Sequence, residues 1–243
     1  MSSSGMAPHR GAGQRAGLTR DAVIGAARRV ADEEGVDRLT MRRLAAELGV
    51  MPNALYTYFP HKEALLDALV DDLLGGIDLD GSWSGDWRDG LVRIMDASRR
   101  LLLAHPRLVP VIIGRPGLGP NAARLGELSL GLLARGGLEG ERAVEAFRVL
   151  LAYSLGFAAF QAPRLAADAG TRTARAELAE ASFAGLPGDR FPRMRRLAGP
   201  LADPTDDQEF HTGLGWLLDG IAARAAQDGR GRRPRRSRSS PTP

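Results

Sequence analysis

Apolar residues recur at helical spacing along most of the chain. Val23, Ile24, Ala27, Val30 and Ala31 form one face of a segment that Thr19 can cap and Gly35 can close. A shorter helix follows, with Thr40 as N-cap, Leu44, Ala45 and Leu48 inward and Gly49 as stop. Pro52 opens a third helix of one to two turns, which Pro60 ends. A fourth runs from about His61 to Leu74, with Leu65, Leu66, Leu69, Val70 and Leu73 inward. Beyond the Gly/Asp/Ser stretch 75–86, the period predicts helices over 87–104, 121–134, 141–161 and 206–226. The 141–161 segment is apolar almost all round, which predicts burial on all sides. Residues 163–204, rich in Gly, Ala, Pro and Arg, read as mobile. No convincing strand appears. Leu108 to Ile113 is the one β-branched cluster, and Pro110 interrupts it. The pattern predicts an all-α protein.

Composition narrows this. The chain has 243 residues, 44% hydrophobic and 26% charged, which allows one large or two small globular domains. Cysteine is absent, which excludes disulfides, thiolate nucleophiles and cysteine-ligated metal. The longest nearly apolar stretch, Val149 to Phe160, is short of the roughly 20 residues a bilayer span needs. With no secretory h-region in the first 17 residues, a cytoplasmic protein without a membrane partner is expected. The formal charge of +4 belongs to the ends. Residues 229–243 hold six arginines and no acid, and without them 27 bases face 29 acids, a net of −2. Bulk charge therefore makes no case for nucleic acid. The boundaries expected are a disordered arm over 1–17, a first domain over 18–76, a second over 77–228 and a disordered tail over 229–243. The tail reads either as inert or as a sequence-blind clamp on phosphates.

The informative segment is Leu39 to Tyr58, LTMRRLAAELGVMPNALYTY. Two short helices, a glycine turn at Gly49 and small Ala45 at the crossing make a helix-turn-helix. Steeply crossed helices need a small contact residue, and the turn needs one that tolerates positive φ. Leu44, Leu48, Val50 and Leu55 pin the second helix and leave its other face for the major groove. Between Arg38 and Lys62 four bases stand against one acid, Glu47. Tyr56, Thr57 and Tyr58 carry hydroxyls suited to phosphates or base edges.

The longer run MRRLAAELGVMPNALYTYFPHKEALLDALV resembles the N-terminal domain of tetracycline-repressor-type (TetR family) regulators. Trp87 before an amphipathic helix, Gly114–Arg115–Pro116, LGFAAFQ and FHTGLGWLLDGI resemble the C-terminal domain of the tetracycline repressor subgroup. The resemblance implies a homodimer that binds a pseudo-palindromic operator on double-stranded DNA. Helices 141–161 and 206–226 would then form an intersubunit four-helix bundle. Carried over by position, DNA contacts fall on Thr40, Arg42 and Arg43, on Pro52, Asn53, Ala54, Tyr56, Thr57 and Tyr58, and on Lys62. Arg43 also reads as a solvated helix arginine. A small hydrophobic effector would be lined by Leu91, Ile94, Met95, Ser98, Leu102, His105, Arg115, Phe147, Leu151 and Phe157. The subgroup's metal-binding histidine has no counterpart beside Ile112 and Ile113, and its pocket asparagine is replaced at about Ile94. No metal and no cofactor are expected.

The remaining chemistry reads as structural. Asp71–Asp72 and Asp206–Asp207 are adjacent in sequence and read as solvated charge. Trp83, Trp87 and Trp216 read as core or linker anchors. Neither a phosphate loop, nor a nucleophile elbow, nor a zinc-protease motif occurs, so an enzyme is not expected. The reading is an effector-released repressor. Its rivals are a dimeric DNA-binding regulator with no small effector and a helical ligand carrier with a vestigial N-terminal motif.

Overall fold

A computed structural model describes residues 17–78, 85–115, 119–165, 167–203 and 206–231, with side chains to Gln227. Every regular element among them is a helix. The expected N-terminal arm lies outside the described residues except for Gly17. So does the tail from residue 232 onward, together with Trp83 and His9.

The chain forms two compact units, Met1–Leu65 and Leu66–Pro243. The first holds α1 (Arg20–Glu34), α2 (Met41–Leu48) and α3 (Pro52–Tyr56). By compactness the division falls inside α4 (Lys62–Gly75). That helix is unbroken. Leu65, Leu66, Leu69, Val70 and Leu73 are all buried, so no change of pattern marks the junction.

The second unit contains α5 (Trp87–Ala104), α6 (Val109–Ile113), α7 (Pro120–Arg135) and α8 (Glu141–Leu165). It continues with α9 (Ala169–Ala184), α10 (Pro192–Arg196), α11 (Ala198–Ala202) and α12 (Asp207–Gly231). Helix α8 packs on α5, α6, α7 and α12. Leu91, Ile94, Met95, Leu132, Leu133, Leu150, Phe210, Leu214 and Leu218 form the core between them. Gly90 lets α5 and α7 approach, because a Cβ there would meet Leu132 at 2.7 Å.

The β-branched cluster at 109–113, which gave no convincing strand, is a helical turn, with Pro110 in its first turn, where a missing N–H costs nothing. Three expectations are corrected. Within 163–204, which read as mobile with no helix assigned, residues 169–203 hold three helices that pack on one another, although α9 buries none of its residues. Helix α8 is not buried on all sides: Val149 is 48% and Phe160 70% exposed. Trp216 on α12, expected as an anchor, is 73% exposed. One chain supplies neighbours for one face of α8 only, so apolar surface remains on the other. By length and composition α8 could also cross a bilayer. It carries buried Ser154 and Gln161 and packs within the helical unit.

Candidate nucleic-acid interface and ligand cavity

The helix-turn-helix is built by its caps. The Thr40 side chain accepts the Arg43 N–H at 3.1 Å and starts α2. Gly49 ends it at φ 64° and ψ 32°, a left-handed conformation that would strain any residue with a Cβ. The Val50 N–H then reaches back to the Ala45 carbonyl at 3.0 Å. Pro52 opens α3, and fully buried Leu55 and Phe59 turn its inner face to the core. Thr40, Arg42, Asn53, Tyr56 and Thr57 are exposed, whereas Pro52 and Ala54 are half-buried.

Three of the expected contacts also have partners within the unit. Tyr58 is half-buried, and its hydroxyl donates to the Leu18 carbonyl at 2.6 Å, fastening the start of α1. The Lys62 ammonium donates to the Val36 carbonyl at 3.1 Å. Arg43 is ion-paired to Glu47 at 2.9 Å and to Glu34, whose carboxyl it holds below the usual range through their hydrogen bond. The basic count over residues 38–62 overlooked Glu34 because α1 brings it in from outside that window. His61 caps, its Nδ1 accepting the Ala64 N–H.

In the second unit, a cavity of about 220 Å³ opens between α4, α5, α6, α7 and α8. It brings together seven of the expected residues: Ile94, Met95, Ser98, Leu102, Arg115, Phe147 and Leu151. It leaves out Leu91, buried in the core; His105, which ends α5; and Phe157, which lies edge-on to Phe210 and tilted against Tyr153. Sequence reasoning missed Val70, Leu74, Leu101, Ile112, Ala122, Leu125, Gly126, Ser129 and Leu155. The α7 contribution had a signal in its Leu125–Ser129 spacing, one helical turn. Val70 had already been taken as an inward residue of the fourth helix, and Leu74 only as its end. The lining is largely apolar. The hydroxyls of Ser98 and Ser129 donate to their own helices at 2.8 Å, to the Ile94 and Leu125 carbonyls. Arg115 is the one charged side chain among the described lining residues.

Helix α4 is fastened to this cavity twice. Arg115 pairs with Asp67 at 2.5 Å. One turn on, the Asp71 carboxylate accepts the N–H groups of Asn121 and Ala122 at 3.0 and 3.1 Å. It thereby caps α7 from a different helix, where an anion is favoured. Gly119 is required there, because a Cβ would meet Asp71 at 2.1 Å. Asp71 is thus a cap rather than the solvated charge expected from the sequence.

Asp207 is 80% exposed, as a solvated charge should be, and also serves as an acceptor across helices. Arg99 is 1% exposed and donates to Gln161 at 2.6 Å and to Asp207 at 2.8 Å, with Phe210 under its guanidinium at 4.5 Å. The Arg99 hydrogen bond is the main reason the Asp207 carboxyl titrates below its usual range. The cluster joins α5, α8 and α12, three elements no local pattern connects.

Two family models match successive parts of the chain. Residues 23–69 match the family model "Bacterial regulatory proteins, tetR family". Residues 82–225 match "Tetracyclin repressor-like, C-terminal domain". The chain is 34% identical to the HTH-type transcriptional repressor DrrR1 of Streptomyces coeruleorubidus, over 92% of its own length and 84% of the relative's. It is 32% identical to the class A tetracycline repressor from transposon 1721 in Escherichia coli, over 85% and 92%. The Streptomyces coelicolor TetR family protein ActR, solved in complex with actinorhodin, superposes with a TM-score of 0.78 at 32% identity, covering 86% of this chain and 99% of that one.

Proposed function

The chain belongs to the TetR family of transcriptional regulators, and from that premise we propose that it is a cytoplasmic homodimeric repressor released from DNA by a small molecule. The first unit reads a pseudo-palindromic operator on double-stranded DNA. Asn53, Tyr56 and Thr57 approach from α3, and Thr40 and Arg42 from α2. A recognition helix this short spans few base pairs, so a two-fold dimer doubles the contact. The exposed Val149 and Phe160 on α8 and Trp216 on α12 supply apolar surface for the second copy.

The observation that carries the effector reading is the wall of the cavity. Val70 and Leu74 line it, so whatever occupies the cavity touches α4, the helix that begins beside the DNA-binding motif. An occupant that fits one arrangement of α4 better than another shifts the population between them, and DNA affinity follows. A filled core would have favoured the rival in which the second unit only dimerises. ActR, a similar protein, was solved in complex with actinorhodin, which supports an effector for this chain.

Selection from a random duplex library tests the DNA half. The expected product is an inverted repeat bound by two copies. Enrichment of a single half-site, bound with full affinity by a monomer, would overturn it.

A further inference from the structure

The chemistry of the cavity limits what can fill it. Leu101, Leu102, Ile112 and Phe147 offer apolar surface, and the two serine hydroxyls are already engaged by their own helices. Arg115 is different. Its side chain is 18% exposed, and the guanidinium reaches Asp67, whose side chain is 60% exposed. A pair so open to water on one side is held weakly, because solvent screens it. An anion inside the cavity would meet the same guanidinium with less water around it, where a charge-assisted hydrogen bond is stronger. We infer that the cavity takes an amphipathic anion, an aromatic or aliphatic body bearing a carboxylate, phenolate or sulfonate, and that this group draws Arg115 away from Asp67.

The exchange gives the occupant a second hold on α4. Loss of the Asp67–Arg115 pair leaves the Asp71 cap, which still ties α4 to α7. The preference for one arrangement of α4 then follows from charge as well as from shape. This inference rests on the effector reading above and adds to it the class of ligand.

Two fluorescent probes of nearly equal shape test it on the full chain. N-phenyl-1-naphthylamine is neutral, and 8-anilinonaphthalene-1-sulfonate carries one anionic group. The wild-type protein should bind the sulfonate roughly ten-fold more tightly than the amine. Arg115→Gln should abolish that preference while leaving the neutral probe unchanged, which also reports that the variant is folded. Arg115→Lys should keep most of the preference, because the charge remains. Asp67→Asn should tighten the sulfonate a few-fold and leave the amine alone. Gly126 lines the cavity, and a Cβ there meets nothing within 4 Å, so Gly126→Phe blocks the space without a backbone clash. Loss of both probes in that variant places them in the cavity. An unchanged sulfonate-to-amine ratio in Arg115→Gln would overturn the anion inference and leave the effector reading standing. Full binding of both probes by Gly126→Phe would overturn the inference and the reading together.

Discussion

The Tyr153 hydroxyl lies over Gly213 and donates to the Phe210 carbonyl at 3.0 Å, so a tyrosine of α8 occupies the space where α12 has no side chain. A Cβ at Gly213 would sit 2.2 Å from that hydroxyl. Gly213→Ala should therefore destabilise the fold by about 1–3 kcal/mol through overpacking. The gain of about 1 kcal/mol in helix propensity opposes this in part. Tyr153→Phe alone should cost about 1 kcal/mol for the hydrogen bond. Urea unfolding of the two single variants and the double variant reads the coupling. Strict additivity would mean that the two residues do not share this space.

The second prediction concerns acid. Arg99 holds the Asp207 carboxyl below its usual range, so the group contributes stability above its unfolded pKa and loses it as pH falls through the lower folded value. The loss should thus begin below about pH 4, near the ordinary aspartate value, and not at neutral pH. Asp207→Asn should flatten this limb of the stability curve. At pH 7 the substitution should cost at most about 1 kcal/mol, because the Asp207 side chain is 80% exposed and solvent screens the pair, while Arg99 keeps Gln161 and Asp96. Thermal unfolding from pH 7 to 3 checks both statements. Identical acid limbs for wild type and variant would sink the assignment.

Both clusters mark the limit of what the sequence shows. The helix-turn-helix was legible because its signals are local: Thr40, Gly49 and Pro52 each act within four residues. The α5 side of the cavity was legible for the same reason, since Ile94, Met95, Ser98 and Leu102 share one helix face. The cross-helix roles of Asp71, Asp207 and Glu34 were not legible because their partners lie on other helices, 9 to 108 residues away. Helix α9 was missed although Asp168 caps it through the Thr171 N–H at 2.9 Å. Its exposed faces gave no apolar period to detect.

The cap on α7 carries the third prediction. Asp71→Ala leaves two N–H groups at the α7 N-terminus without their acceptor. It should cost about 1–2 kcal/mol. Asp71→Asn, which keeps an acceptor oxygen, should cost less. Hydrogen exchange should show the loss first in the opening turn of α7. Uniform loosening across the second unit would instead indicate a general packing defect.

A fourth prediction separates roles on the DNA-binding face. Tyr56→Ala should weaken all duplexes alike, as loss of a phosphate contact does. Asn53→Ala should relax base preference at one position of each half-site, by about 1–3 kcal/mol. Tyr58→Phe should leave DNA preference intact and lower stability, because its hydroxyl serves Leu18. Binding-site selection with each variant distinguishes the three. An unchanged selected sequence for Asn53→Ala would remove that residue from base reading.

The central claim is that the cavity and the DNA-binding face are coupled, and coupling is reciprocal. The most direct measurement is the affinity of N-phenyl-1-naphthylamine for the protein, taken once free and once saturated with its selected duplex. The account predicts that DNA weakens the probe by the same factor by which the probe weakens DNA, on the order of 5-fold or more. Equal probe affinities in the two states, with the probe lost in Gly126→Phe, would contradict it.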